Sequence, residues 1–207
     1  MSKATKSNKA IKYRLYPNDE QKVMFAKTFG CCRFVYNQLL ALQKQRYKDG
    51  ESHLSKLKSN EFATRTLKKD YDFLKEIDKF AVSNAVFHLA DAYDRFFKKQ
   101  NHFPKFKSKR KSKKSYTTNF TNNNILIGKN VIKLPKVGMV KAVIHKLPKD
   151  DWKLKSVTVS QDSVGNYFAS VLFEYEQEDI PSVSKSSTNA IGLDYKSDGL
   201  YMDSNGN

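Results

Sequence analysis

Between Ile11 and Tyr16 (IKYRLY) apolar and basic residues alternate with period two, the pattern of a short half-buried strand, and Pro17 ends it. Asn18 then suits a helix N-cap, with Gln21 three positions on to complete a capping box. Phe25, Phe29, Cys32, Val35, Tyr36, Leu39 and Leu42 recur at steps of three and four, so helix is predicted as far as Asp49 and Gly50, with Gly30 breaking it into two. The polar run Glu51 to Asn60 reads as a loop holding at most a weak helix. From about Asp78 to Gln100 a wide apolar stripe of Phe80, Val82, Val86, Leu89, Ala90, Tyr93, Phe96 and Phe97 predicts a firmer helix. Residues 18–101 therefore read as a helical bundle.

Beyond them the period changes. ILIGKNVIKL, from Ile125 to Leu134, places hairpin turn residues between apolar runs, and Gly165 with Asn166 does the same inside SVTVSQDSVGNYFASVLFEY. Pro181 to Asn189 has the composition of a linker, and AIGLDY and GLYMDSNGN after it read as the first two strands of a further sheet. Two strands cannot close a core of their own, so the expectation is a truncated domain.

Charge sharpens this picture. Of 38 Lys and Arg against 21 Asp and Glu, sixteen basic residues and no acidic one lie between Arg95 and Lys149. Outside that segment the balance is nearly neutral, so almost the whole net charge of +17 is local, as a polyanion-binding surface requires. Its densest part, Lys98 to Lys114, interleaves nine cations with Phe103 and Phe106, and Tyr116 and Phe120 follow. Cations neutralise phosphates and release counterions, while ring faces stack on unpaired bases, so Lys105, Lys107, Lys109, Arg110, Lys111, Lys113 and Lys114 are candidate RNA contacts. The plainer alternative is a solvated basic loop or a membrane-surface tether.

Other chemistry is sparse. Cys31 and Cys32 are adjacent within an apolar pattern and read as small core residues in a reducing compartment. His53, His88, His102 and His145 are scattered without ligand spacing, and none of the common nucleotide-loop, zinc-protease or serine-hydrolase strings occurs. No secretory or membrane-spanning run is present, so a cytoplasmic, nucleoid-associated protein without a membrane partner is expected. Asp194 lies on an apolar strand where its carboxylate can project toward a divalent ion, although a lone strand aspartate is more often a turn or cap residue.

Four blocks in order, YRLYPNDEQ with FGCCRFVYNQLL, FPKFKSKRK with SYTTNFTNNN, IKLPKVGMVK, and GLDYKSDGLYMDSNGN, together resemble the N-terminal portion of the TnpB (OrfB) proteins of insertion sequences. The resemblance implies an RNA-guided DNA endonuclease system in which a structured guide RNA from the transposon end reads the target DNA and the protein reads a short adjacent motif. It implies an α+β fold in which residues 1–17 are the first strand of a wedge domain and 18–101 are a helical, helix-turn-helix-like recognition bundle inserted into it. Residues 102–188 would be the wedge β-barrel and linker, and 189–207 the first strands of a truncated RuvC (RNase H-like) domain.

By the same resemblance Asp194 matches the first catalytic and metal-binding acid of RuvC, so Mg is implied in a completed site, while zinc is not expected in this portion. Lys196 stands where many relatives carry glycine. Lys79 and Phe80, with Thr121 and Asn122, match positions that face the target-adjacent duplex. An asparagine amide bridges an adenine edge, a threonine methyl meets a thymine methyl and lysine meets phosphate or guanine. Phe80 equally fits the apolar stripe of its helix. A monomer that binds RNA and DNA without cleaving alone is the leading expectation. The rivals are a fragment of a whole endonuclease, a transposase remnant, and a stand-alone DNA-binding transcriptional regulator using residues 18–49 as a helix-turn-helix.

Overall fold

The computed structural model describes residues 5–177, 193–194 and 202–203. Strand β1 (Thr5–Tyr16) leads into helix α1 (Asp19–Lys48), whose N-terminus is closed by the anticipated capping box. The Asn18 side chain accepts from the Gln21 N–H at 2.9 Å and the Gln21 side chain accepts from the Asn18 N–H at 3.1 Å. Asp49 caps the other end and Gly50 follows at φ +74°.

Gly30 does not divide this helix. A glycine inside a helix costs about 1 kcal/mol relative to alanine, but Phe25, Phe29, Cys31, Cys32 and Val35 are all buried, so both halves bury one continuous face. The expected break, and with it a turn between two helices in residues 18–49, is therefore corrected to one helix of 30 residues.

Residues 51–55 remain loop, and Ser55 caps the short helix α2 (Lys56–Glu61), the weak helix anticipated within the polar stretch. It continues through a π-helical turn (Phe62–Leu67), α3 (Lys68–Asp70) and a 3-10 turn (Asp72–Lys75). Helix α4 (Lys79–Phe97) then buries Ala81, Val82, Ala85, Val86, Leu89 and Tyr93, capped by Asp78. Phe97 departs from the predicted stripe and stands 64% exposed, because the last turn of α4 passes the end of the core.

The remaining strands are β2 (Lys114–Asn119), β3 (Leu126–Ile127), β4 (Val131–Leu134), β5 (Gly138–Val143), β6 (Lys153–Gln161) and β7 (Tyr167–Gln177). With β1 they form one sheet in the order β2-β6-β7-β1-β5-β4-β3, and every pairing whose register is described is antiparallel. Both predicted hairpins, β3–β4 and β6–β7, are present. The order is linear with β2 and β3 at its edges, so the described sheet is open, whereas the resemblance implies a barrel. Among the described residues all helices lie in the chain between β1 and β2, which makes the helical part an insertion into the sheet's connectivity. β1 also begins earlier than its alternation suggests. Its exposed first half pairs by backbone within the sheet and needs no apolar pattern to do so.

One core joins the two layers. Phe25 of α1 packs against Tyr116 of β2 and Tyr167 of β7, with ring centroids 6.3 and 5.4 Å apart, and Phe29 meets Tyr116 at 5.9 Å. Inward residues alternate along the strands, as in Val157, Val159, Ala169, Val171 and Phe173. At the seam between α4 and β2 the buried Asp78 carboxylate accepts from the Ala81 N–H at 3.2 Å and from the Thr118 hydroxyl at 2.7 Å. Asn84 adds donations to the Thr117 carbonyl and the Asn119 side chain at 3.0 and 3.2 Å.

Separately from this body, β8 (Leu193–Asp194) pairs antiparallel with β9 (Met202–Asp203), in agreement with the two predicted strands. The linker predicted from Pro181 to Asn189 lies outside the described residues.

Two stability outcomes follow from these arrangements. Asp78→Ala removes a helix cap and strands the buried Thr118 hydroxyl, so a loss of about 2–4 kcal/mol in denaturant unfolding is expected, whereas an effect below half of that would show that the seam is not held there. A Cβ on Gly30 meets no heavy atom within 4 Å, so Gly30→Ala should stabilise by about 0.5–1 kcal/mol, and destabilisation in the same assay would contradict a continuous helix.

Candidate nucleic-acid interface

Helix α4 ends at Lys98, and Lys99 turns the chain through a left-handed φ of +57° into the basic segment. This segment has little regular structure, yet it is fastened at successive points. The Phe103 ring stands edge-on to Tyr93 at 5.6 Å and to Phe96 at 5.2 Å, and Pro104 is buried. The Asn37 amide on α1 then grips the backbone of Lys107 from both sides. Its nitrogen donates to the Lys107 carbonyl at 2.9 Å and its oxygen accepts from the Lys107 N–H at 2.8 Å.

Next comes a tight turn. The Ser108 N–H donates to the Ser112 hydroxyl at 2.9 Å, the Lys111 N–H to the Ser108 hydroxyl at 3.0 Å, and the Ser112 N–H to the Ser108 carbonyl at 3.2 Å. Lys109, Arg110 and Lys111 therefore project from the tip of a closed loop, and all three are exposed. Lys113 and Lys114 continue onto β2, with Lys114 donating to the Gln161 side chain at 3.0 Å. Among the described residues no carboxylate lies within ion-pair distance of Lys105, Lys109, Arg110, Lys111, Lys113 or Lys114.

Lys107 differs from its neighbours. It is half-buried with its ammonium 3.9 Å from the centre of the Tyr36 ring, and burial holds its pKa below the ordinary lysine value against an opposing pull from Cys32. It works chiefly as an anchor of the segment. The face it borders also carries Arg33 and His88, lining the same shallow cleft as Lys113 and Lys114. Neither was singled out from sequence, since α1 and α4 bring them there. Partial burial, then Lys107, depresses the His88 pKa, with Asp91 acting the other way. Cys32 lies at the floor of this region with its thiol directed at the Ala81 carbonyl, and burial pushes it up to about 12, so it is an unreactive core thiol.

The residues matched to the target-adjacent duplex occupy the other end of the α4–β2 seam. Lys79 is the exposed first residue of α4, its ammonium 5.1 Å from the Phe80 ring centre, and Phe80 is half-buried at the rim of the core. After β2 the chain makes a turn in which the Thr121 N–H donates to the Asn124 side chain at 2.8 Å and the Asn124 amide donates to the Asn119 carbonyl at 3.0 Å. Asn122 and Asn123 sit in the left-handed region at φ +47° and +55°, which asparagine tolerates, and both side chains are exposed. Because Asp78 ties to Thr118 and Asn84 to Asn119, the Lys79 and Asn122 elements are held on one rigid seam. Lys68 and Lys136 belong to the same neighbourhood. Burial lowers the Lys68 pKa first, Asp78 opposes this, and the charges of Lys79 and Lys136 lower it further. Three places distant in sequence supply Lys68, Lys79 and Lys136, so no local pattern announces the group.

Asp194 lies in the separate β8–β9 pair, exposed and opposite Met202, with Asp203 opposite Leu193. Among the described residues it is not part of any group of three potential metal ligands, so the residues described do not by themselves compose a magnesium centre.

Residues 7–52, which here comprise most of β1, α1 and the turn after it, match the helix-turn-helix domain family HTH_OrfB_IS605. A putative RNA-guided DNA endonuclease of Streptomyces pristinaespiralis is 30% identical over 188 residues, covering 90% of this chain and 45% of that protein. The putative RNA-guided DNA endonuclease InsQ of Escherichia coli (strain K12) is 29% identical over 192 residues, or 89% of this chain and 44% of InsQ. Virulence protein VsdF of Salmonella dublin is 32% identical over 111 residues, 49% of this chain and 93% of VsdF. The chain thus spans slightly less than half the length of the two endonuclease relatives. With its sequence blocks, its matched N-terminal domain and these similarities in agreement, the chain belongs to the TnpB (OrfB) family.

Proposed function

We propose that this chain is the guide-RNA- and target-DNA-binding part of a TnpB-type protein, one that does not cleave DNA by itself. The observation that carries this reading is the pinned basic loop, which is fastened to α1 and α4 through Asn37, Lys107 and Phe103 while its tip cations have no acidic partners among the described residues. A segment merely solvated for solubility has no need of such fastening, and Phe103 would not be placed against α4. RNA phosphates would lie along Lys105, Lys107, Lys109, Arg110, Lys111, Lys113 and Lys114, with Arg33 and His88 beside them. Lys79, Phe80, Thr121 and Asn122 would face the duplex next to the target, lysine on phosphate and the amide on a base edge.

In this reading the helical insertion is the recognition domain, the seven-stranded sheet is the wedge domain, and β8–β9 begins a RuvC domain. Asp194 would bind magnesium only together with further acidic residues, and it takes no catalytic step without them. A monomer and a place among cytoplasmic nucleic acids belong to the same proposal. Among the described residues no helix is long and apolar enough to cross a membrane.

Titrating the chain with transposon-end RNA at increasing salt should give affinity falling steeply on a log–log plot. Replacing Lys109, Arg110 and Lys111 by alanine should reduce that slope by roughly 0.7–0.9 for each phosphate that is no longer neutralised. Binding that is absent, or indifferent to salt, would defeat the RNA reading. On the RNA-bound chain, Asn122→Gly keeps the left-handed turn but removes the amide. It should relax sequence preference beside the target by about 1–3 kcal/mol at one base pair, while Lys79→Ala weakens all duplexes alike. Unchanged preference in a binding selection with randomised flanks would remove Asn122 from the interface.

A further inference from the structure

A cleft of about 660 Å³ lies where the C-terminal ends of α1 and α4 meet the start of the basic segment. Tyr47, His53, Tyr93, Phe96, Phe97 and Phe103 wall it. Such a volume is in the range of small-ligand sites. Two of the walls are unusual for rings that serve only packing, since Tyr47 is 85% and Phe97 64% exposed. His53 packs edge-on to Tyr93 at 4.6 Å, and burial keeps its imidazole pKa below the ordinary value, so it offers an uncharged ring.

The rim has a consistent charge. Lys44 and Lys48 line the cleft, and the Lys44 ammonium is 5.5 Å from the Phe103 ring centre and 4.8 Å from that of Phe106. The single acidic residue of the wall, Glu51, is paired with Arg46. Phe103 itself belongs to the basic segment, four residues after Lys99 and two before Lys105. Aromatic walls, cationic rim and phosphate track are therefore continuous.

We infer that this cleft is a stacking subsite for unpaired bases of the single-stranded polynucleotide whose phosphates follow the basic segment, an inference that rests on the RNA-binding reading above. Ring faces accept any base by stacking, so the site is tolerant of sequence, and it needs a strand whose bases are free of pairing. Lys44 and Lys48 meet the flanking phosphates as the base enters between Phe97, Tyr47 and Phe103. A neutral apolar peptide would gain nothing from the rim cations, which is why a polyanion carrying flat apolar groups fits better.

The test uses the full chain with an oligouridylate and a length-matched strand of abasic ribose phosphates, which carry equal charge. The base-bearing strand should bind on the order of tenfold more tightly for each base stacked. Phe97→Leu with Tyr47→Leu, which keep apolar bulk at exposed positions, should erase most of that preference and leave the salt slope unaltered. A 5-iodouridine strand should photo-crosslink to peptides containing Tyr47, Phe97 or Phe103 of the unmodified chain, a readout that does not depend on any variant folding. Equal binding of the two strands with steep salt dependence, or a preference that survives the double substitution, or crosslinks confined to other peptides, would overturn the subsite while RNA binding stands. Failure to bind either strand while transposon-end RNA still binds would overturn the subsite alone, and failure to bind all three would overturn the RNA-binding reading and this inference with it.

Discussion

A dense row of cations repels itself, and ordering its backbone costs about 1–2 kcal/mol per residue, so the basic segment takes a defined course only because it is fastened to the helices, first where Asn37 grips the backbone of Lys107. The two amide hydrogen bonds contribute about 1 kcal/mol each, too little to order the segment alone. The rest comes from Phe103 and Pro104 set against the end of α4 and from the Lys107 stem and charge laid on Tyr36. That contact places a lysine where its charge is poorly hydrated, and the aromatic face compensates part of the loss. One cation of the run serves as an anchor, and the others are thereby presented in fixed positions.

The anchor works because its base is rigid. Helix α1 is pinned to the sheet by Phe25 and Phe29 against Tyr116 and Tyr167, and α4 is pinned to β2 by Asp78 and Asn84. Helices inserted between β1 and β2 thus share one core with the sheet. The α4–β2 seam then has two useful ends. The basic loop leaves one and enters β2 there, while the Lys79 and Asn122 elements occupy the other. A single structural unit in this way carries both candidate surfaces on one seam.

Periodicity along the chain was enough for the strand ending at Tyr16, the capping box at Asn18, helix α4 with its Asp78 boundary and both hairpins, because each depends on contacts within a few residues. The local penalty at Gly30 was overruled by burial on both sides of it, and the exposed half of β1 was invisible because backbone pairing leaves no apolar signature. Among the site residues, the tip cations could be identified from charge alone. The separate role of Lys107, the arrival of Arg33, His88, Lys68 and Lys136, and the aromatic cleft at Tyr47 and Phe97 could not, since each joins elements far apart in sequence.

By itself, then, the amino-acid sequence determined the class of fold, the order of its elements, the concentration of positive charge in one segment and the family. These properties are sums or periods over neighbouring residues. Tertiary structure alone decided which cations are anchors and which are free, where rings stand exposed beside them and that two candidate surfaces share one seam. Those distinctions depend on distance and burial, which arise only when the sheet closes over the helices and brings Asn37 to Lys107 and Asp78 to Thr118.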